Sequence, residues 1–274
     1  MLSEQVEWAS RLSRVGWAAK GIVHIIIGAL TSMAVFGLGG AISGKGDAFK
    51  WIVGLPAGKI LLVLIALGLM AYVLWRIIQA IADPERKGSD AKAILQRIGY
   101  AISGLAYAGV AVYAVRLAIG GNGGGASTGN EEGGTRQFIV ASVLQQPAGE
   151  WLVGAAALVL IGIGMYQIYR AITNKFKKQV DMGRMNDRQR RAFTAFGNLG
   201  FVARGIVLGI IGFLLIQAAL HSDPSQAQGT EGAFQFLRDA GYGPWLLGAV
   251  AIGLIAYGLF CLVRSRHQRI RTNG

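Results

Sequence analysis

Six apolar runs divide the chain, at 15–36, 60–80, 98–119, 151–172, 199–220 and 245–263. Each has the length of about 20 residues that a helix needs to cross the hydrocarbon of a bilayer. Their apolar positions are continuous and do not alternate with period two, so they predict helices and exclude barrel strands. Between the runs of each successive pair lies a shorter mixed segment: 47–52, 135–140 and 232–237. Each follows a polar, mostly Gly-containing stretch and precedes a proline, at Pro56, Pro147 and Pro244. These segments predict short amphipathic helices lying at the outer interface as a collar.

The runs repeat. The first opens Gly16-Trp17-Ala18-Ala19-Lys20-Gly21, the third Gly99-Tyr100-Ala101-Ile102-Ser103-Gly104, and the fifth Gly200-Phe201-Val202-Ala203-Arg204-Gly205. The even runs carry Gly68, Tyr72 and Trp75, then Gly162, Tyr166 and Tyr169, then Gly253, Tyr257 and Phe260. The unit is therefore helix, outer segment, helix, with copies at 14–96, 97–197 and 198–264 and a basic tail at 265–274. An even number of spans returns each copy to the same side, so the copies are parallel. The predicted fold is an all-α membrane domain of six spans arranged as three two-helix repeats around a pseudo-threefold axis.

On these residues the chain resembles the bacterial membrane proteins grouped as domain of unknown function 1206. The resemblance rests on the glycine-aromatic openings, on Pro56-Ala57-Gly58 and Pro147-Ala148-Gly149, and on the arginines Arg76 and Arg170 that close the even runs. Ser103 departs from it at the basic position in the opening of repeat two, and Cys261 at the exit-arginine position of repeat three. The resemblance covers nearly the whole chain. It implies a topology and a bacterial inner membrane, and brings no reaction.

Composition narrows this further. The chain of 274 residues is 53% hydrophobic and 15% charged, with a mean hydropathy of +0.46, against about 25% charged for an ordinary globular chain. Its net charge of +13 would suggest nucleic acid in a soluble protein, and in a membrane protein it suggests loops facing anionic lipid. Nineteen Lys and Arg lie at the N-terminus, in the two loops between repeats and, with Arg264, Arg266, Arg269 and Arg271 counted together, in the tail, against five in the outer loops. That bias places both termini in the cytoplasm. A single cysteine, Cys261, permits no intrachain disulfide.

Candidate chemistry is sparse. No carboxylate occupies the middle of a span, which argues against ion-coupled transport. No nucleophile with a paired base and no metal-ligand spacing is present, so neither an enzyme nor a cofactor is expected. The glycines 120–125 lack the strand and the Gly-Lys-Ser/Thr of a phosphate loop. Lone His24 reads as a hydrogen-bonded packing residue, and Glu150 and Arg116 as separately solvated interface groups. Gly16, Gly21, Gly28, Gly99, Gly104, Gly200, Gly205 and Gly212 read as helix-packing positions, where small residues let backbones approach. Lys20 and Arg204 lie about 9 Å inside the basic ends of their helices. Two readings are open: their side chains snorkel back to the headgroups, or they turn inward and, with Arg76 and Arg170, bind a phosphate or carboxylate. Phe193 and Phe196, between basic residues, are expected to dip into the interface. The function these features imply is a non-enzymatic protein that binds lipid or docks as an accessory subunit on a larger membrane complex. The alternative is a channel or uncoupled permease along the repeat axis.

Overall fold

The computed structural model describes residues 2–40, 42, 44–82, 90–120, 131–180 and 182–267. The glycines 121–125, Arg86, Lys87 and the tail residues Arg269 and Arg271 lie outside them. The long helices are α1 (Leu2–Val35), α3 (Gly58–Ile81), α4 (Ala91–Ala118), α6 (Gly149–Ile172), α7 (Asp187–Leu220) and α9 (Gly243–His267). Among the described residues, six helices are long and apolar enough to cross a membrane, and these are the six. The short helices α2 (Lys45–Val53), α5 (Glu131–Leu144) and α8 (Thr230–Arg238) fall between them.

The first long helix of each repeat, α1, α4 or α7, begins well before its apolar run. At α7 the reason is a capping box: Gln189 N–H donates to Asn186 Oδ1 at 2.8 Å, and Asn186 N–H donates to Gln189 Oε1 at 3.1 Å. The side chains satisfy the first free amides, so the helix starts at Asp187. Likewise α9 runs through Arg264 and Arg266 to His267, so these two belong to the helix and not to a tail.

Each short helix meets the next span at the same tight corner. Gly58 N–H donates to Leu55 O at 2.8 Å, Gly149 N–H to Gln146 O at 2.9 Å and Gly243 N–H to Ala240 O at 2.8 Å. A Cβ on any of these glycines would overlap a carbonyl of the short helix, of Ile52, Val143 or Arg238. Ala57 and Ala148 turn the chain through the left-handed region, at φ 59° and 63°. Two of the short helices bury their apolar faces inward, Phe49 and Ile52 on α2 and Phe234 and Leu237 on α8, whereas Phe138 and Ile139 of α5 are exposed.

Every repeat hands its second helix to the first helix of the next. Helix α3 packs on α4, α6 on α7 and α9 on α1, three junctions that follow the threefold order. The last two are backbone-to-backbone: a Cβ on Gly21 would lie 2.7 Å from Gly258 O, and one on Gly205 would lie 2.7 Å from Gly164 O. At the first, a Cβ on Gly104 would come 3.2 Å from Arg76 Cβ. Gly28 and Gly212 face the carbonyls of Ala251 and Ala157.

Within the repeats the symmetry breaks. Repeat one packs α1 on α3 and repeat three packs α7 on α9, while α4 and α6 of repeat two share no comparable face. A Cβ on Gly16 would lie 2.6 Å from Tyr72 Cα, and one on Gly200 would lie 2.5 Å from Tyr257 Cα. Gly68 and Gly253 meet Ala19 and Ala203 in the same way. Their counterparts in repeat two, Gly99 and Gly162, are exposed and meet nothing within 4 Å. The packing role read for Gly99 therefore does not hold, because its partner helix stands away from it. The six helices form a ring open between α4 and α6.

This difference is measurable. Gly16→Ala and Gly200→Ala should each cost about 1–3 kcal/mol through overpacking. Gly99→Ala should be neutral or raise stability by about 0.5–1 kcal/mol through helix propensity. Thermal unfolding of the purified variants in detergent separates the two groups.

Candidate functional site

The basic ends of the helices bring together side chains that the sequence spreads over nearly two hundred residues. Lys20 on α1 is 2% exposed and turned inward. Its ammonium lies 5.1, 4.8, 4.7 and 5.8 Å from the ring centroids of Trp17, Tyr72, Tyr107 and Tyr257. These rings come from α1, α3, α4 and α9, so Lys20 fills the ring of helices at its own level. The snorkelling reading of Lys20 is overturned: four aromatic faces and a phenol oxygen replace the headgroup water.

Tyr72 is the hub. Lys20 Nζ donates to its hydroxyl at 3.1 Å and Arg76 Nε donates at 2.8 Å. With both lone pairs engaged, the phenol proton is left for Ser103 Oγ on α4, at 3.3 Å. Arg76 also donates to Gln79 Oε1 at 2.9 Å and lies 4.9 Å from the ring of Tyr100 on α4. Repeat three contains the matching pair: Arg204 donates to Tyr257 Oη at 2.5 Å and covers its ring. Arg204 too faces the bundle. Arg170 on α6 lies 4.6 Å from the Phe201 ring and 5.9 Å from Tyr166.

The four basic residues read as anion ligands thus gather at one end of the bundle, near enough that Lys20 feels the charge of Arg204 and Arg76, and Arg170 that of Arg204. Among the described residues none of the four pairs with a carboxylate; their partners are phenols, an amide and aromatic faces. Two buried donors beside them, Trp17 Nε1 and Arg170 Nη2, have no hydrogen-bond acceptor among the described residues. Buried donors are ordinarily satisfied, and a cluster of cations in a low-dielectric bundle repels itself unless an anion joins it. Chemically the site can accept an oxyanion, and the buried Cys261 and His24 lie against it.

His24 turns its Nδ1–H to Lys20 O at 2.8 Å and leans on the Tyr257 ring at 4.9 Å. Glu150 accepts from Ser222 Oγ at 2.5 Å. Phe193 is not at the interface. It is buried with Phe176, Phe201 and Phe260 beneath the loop joining α6 to α7, where Phe176 packs against the α-carbon of Gly197. Arg264, missed as tail, is buried with its guanidinium 3.8 Å from the Trp17 ring. The signal for it was present: Gly253, Tyr257, Phe260 and Arg264 fall on one helical face.

The Domain of Unknown Function (DUF1206) profile matches the chain three times, over residues 15–83, 98–174 and 199–268. The chain belongs to the DUF1206 family. Along almost its full length this DUF1206 chain is similar to a protein of Bacillus subtilis (strain 168) named Uncharacterized protein YxxB, 32% identical over 267 residues, which cover 97% of this chain and 94% of the relative. No solved structure matches. The three matched segments contain the inward basic residues Lys20, Arg76, Arg170 and Arg204.

The inward position of Lys20 has a chemical signature. Acetylation of the membrane-embedded protein with a water-soluble succinimidyl ester should modify exposed Lys59 and leave Lys20 unmodified. Peptide mass spectrometry reads both sites, and labelling of Lys20 to the extent of Lys59 would restore the snorkelling reading.

Proposed function

We propose that this DUF1206 protein is a non-enzymatic binder of an anionic headgroup at the basic face of a bacterial inner membrane, with both termini in the cytoplasm. The observation that carries the reading is the group Lys20, Arg76, Arg170 and Arg204, which among the described residues has no carboxylate and lies beside the donors Trp17 Nε1 and Arg170 Nη2, without an acceptor there. Half-buried Arg76, Arg170 and Arg204 would touch the oxyanion, and buried Lys20 would add charge behind them while holding Tyr72. A phosphate or carboxylate supplies the acceptors this site lacks, and planar guanidinium groups match such oxygens two at a time. Abundant anionic lipid lies at the same level, held near the surface by the basic loops.

The permease reading is less well supported. Four rings from α1, α3, α4 and α9 pack around the inward Lys20, and a solute path between these helices would have to part them. Docking on a larger membrane complex is compatible with headgroup binding, but the basic cluster points to an anion first.

The test uses the full chain in vesicles of phosphatidylglycerol and phosphatidylcholine, followed by mild detergent extraction and native mass spectrometry. One phosphatidylglycerol should be retained in preference to phosphatidylcholine. Removing one charged hydrogen-bond donor costs about 1.5–3 kcal/mol, so Arg170→Gln or Arg204→Gln should lower retention about tenfold or more. Equal retention of the two lipids, or retention unchanged in both variants, would sink the proposal.

A further inference from the structure

The opening between α4 and α6 is written into the residues of repeat two. In repeats one and three the facing positions are buried: Gly16, Ala19 and Val23 meet the α3 face carrying Ile65, Gly68 and Tyr72, and Gly200, Ala203 and Val207 meet the matching face of α9. Their counterparts on α4 are Gly99, Ile102 and Ala106; on α6 they are Val159, Gly162 and Tyr166. All six are exposed, Ile102 at 57% and Tyr166 at 54%.

One of the substitutions bears on the close approach itself. Where Gly68 closes on Ala19 and Gly253 on Ala203, repeat two offers Gly162 the branched side chain of Ile102. A backbone cannot approach through it as it does through alanine. The hydroxyl pairing changes accordingly. Lys20 holds Tyr72 and Arg204 holds Tyr257, each within its own repeat. Ser103, at the same position of repeat two, is turned to Tyr72 of repeat one instead of to Tyr166.

The basic cluster flanks the inner end of this opening on both sides. Arg76 lies against Tyr100 of α4, and Arg170 projects from α6 beside Tyr166. From there the strip runs up both helices for about 10 Å, at 1.5 Å per residue from Gly99 to Ala106. Its upper part is apolar and its lower end is cationic. A partner helix or a second copy would need the close backbone approach that Ile102 denies, whereas a flexible acyl chain does not.

We propose that the α4–α6 opening is a lateral portal in which the acyl chains of an anionic phospholipid lie, with its phosphate at Arg76 and Arg170. This rests on the headgroup reading for its charged end and adds the direction of access: the ligand enters from the bilayer, not from water. Replacing Ile102 by the alanine of the other two repeats should let α4 close on α6 and expel the chains.

The test is photolabelling of the full chain in phosphatidylethanolamine vesicles doped with phosphatidylglycerol carrying a diazirine on its acyl chain. Peptide mass spectrometry should place label on Ile102, Val159 and Tyr166 above that on Leu105 and Leu158, two more exposed residues outside the strip. Ile102→Ala should reduce strip labelling to the level of Leu105. Gly162→Leu, which fills the strip without asking the helices to move, should do the same. Wild-type label spread evenly over strip and control residues, or strip label unchanged in both variants, would overturn the portal. So would chemical cross-links joining α4 of one copy to α6 of another. A phosphatidylcholine probe separates the two proposals: strip labelling equal for both lipids removes the headgroup site and the anionic specificity, whereas phosphatidylglycerol retention without strip labelling removes the portal alone.

Discussion

In a bilayer, hydrocarbon competes with every apolar side chain on equal terms, so helices stay together where their backbones can come close. That constraint decides the architecture. Gly21 against Gly258 and Gly205 against Gly164 join neighbouring repeats. Gly16 under Tyr72 and Gly200 under Tyr257 join the helices inside a repeat. Where the approach is refused, at Ile102, the ring stays open. The same close contacts draw Lys20, Arg76 and Arg204 inward, because a helix pressed against its neighbours leaves these side chains little room to turn outward.

The polar cluster is consistent with that packing and is not what holds the bundle together. Tyr72 links α1, α3 and α4 through Lys20, Arg76 and Ser103, while Tyr257 links α7 and α9 through Arg204. Aromatic faces soften the mutual repulsion of the cations, each such contact being worth about 2 kcal/mol or more when desolvated. They do not neutralise charge. The inward cations therefore remain a cluster of like charge, which is the ground of the headgroup proposal.

Much of this was legible in the sequence. The spans, the three copies, the short helices before each even span and the four basic residues follow from hydropathy and self-comparison, because these patterns are local or periodic. The direction of Lys20 was not. A lysine two turns inside a helix reads as snorkelling unless its neighbours are known, and Tyr72, Tyr107 and Tyr257 reach it from three other helices. Arg264 was counted with a tail because the apolar run ends before it, although it continues the face of Tyr257. The opening in repeat two was the hardest to see: Gly99 and Gly162 keep the packing signature, and only comparison of Ile102 with Ala19 and Ala203 in three dimensions shows why it goes unused. Phe193 was assigned to the interface from its basic neighbours, when its partner Phe176 lies across a loop.

The junction of α1 with α9 joins the first long helix to the last. The tight corners at Gly58, Gly149 and Gly243 are short-range and can set as each hairpin leaves the ribosome. The ring cannot close in the same manner. Until α9 is inserted, α1 has one flank without its permanent neighbour, and Lys20 lacks the ring of Tyr257. Assembly is therefore ordered in time: the helices before it wait in the membrane for the 25-residue α9. A protein shortened at its end would lose more than a terminus, since its first helix would be left without the surface it was shaped to meet.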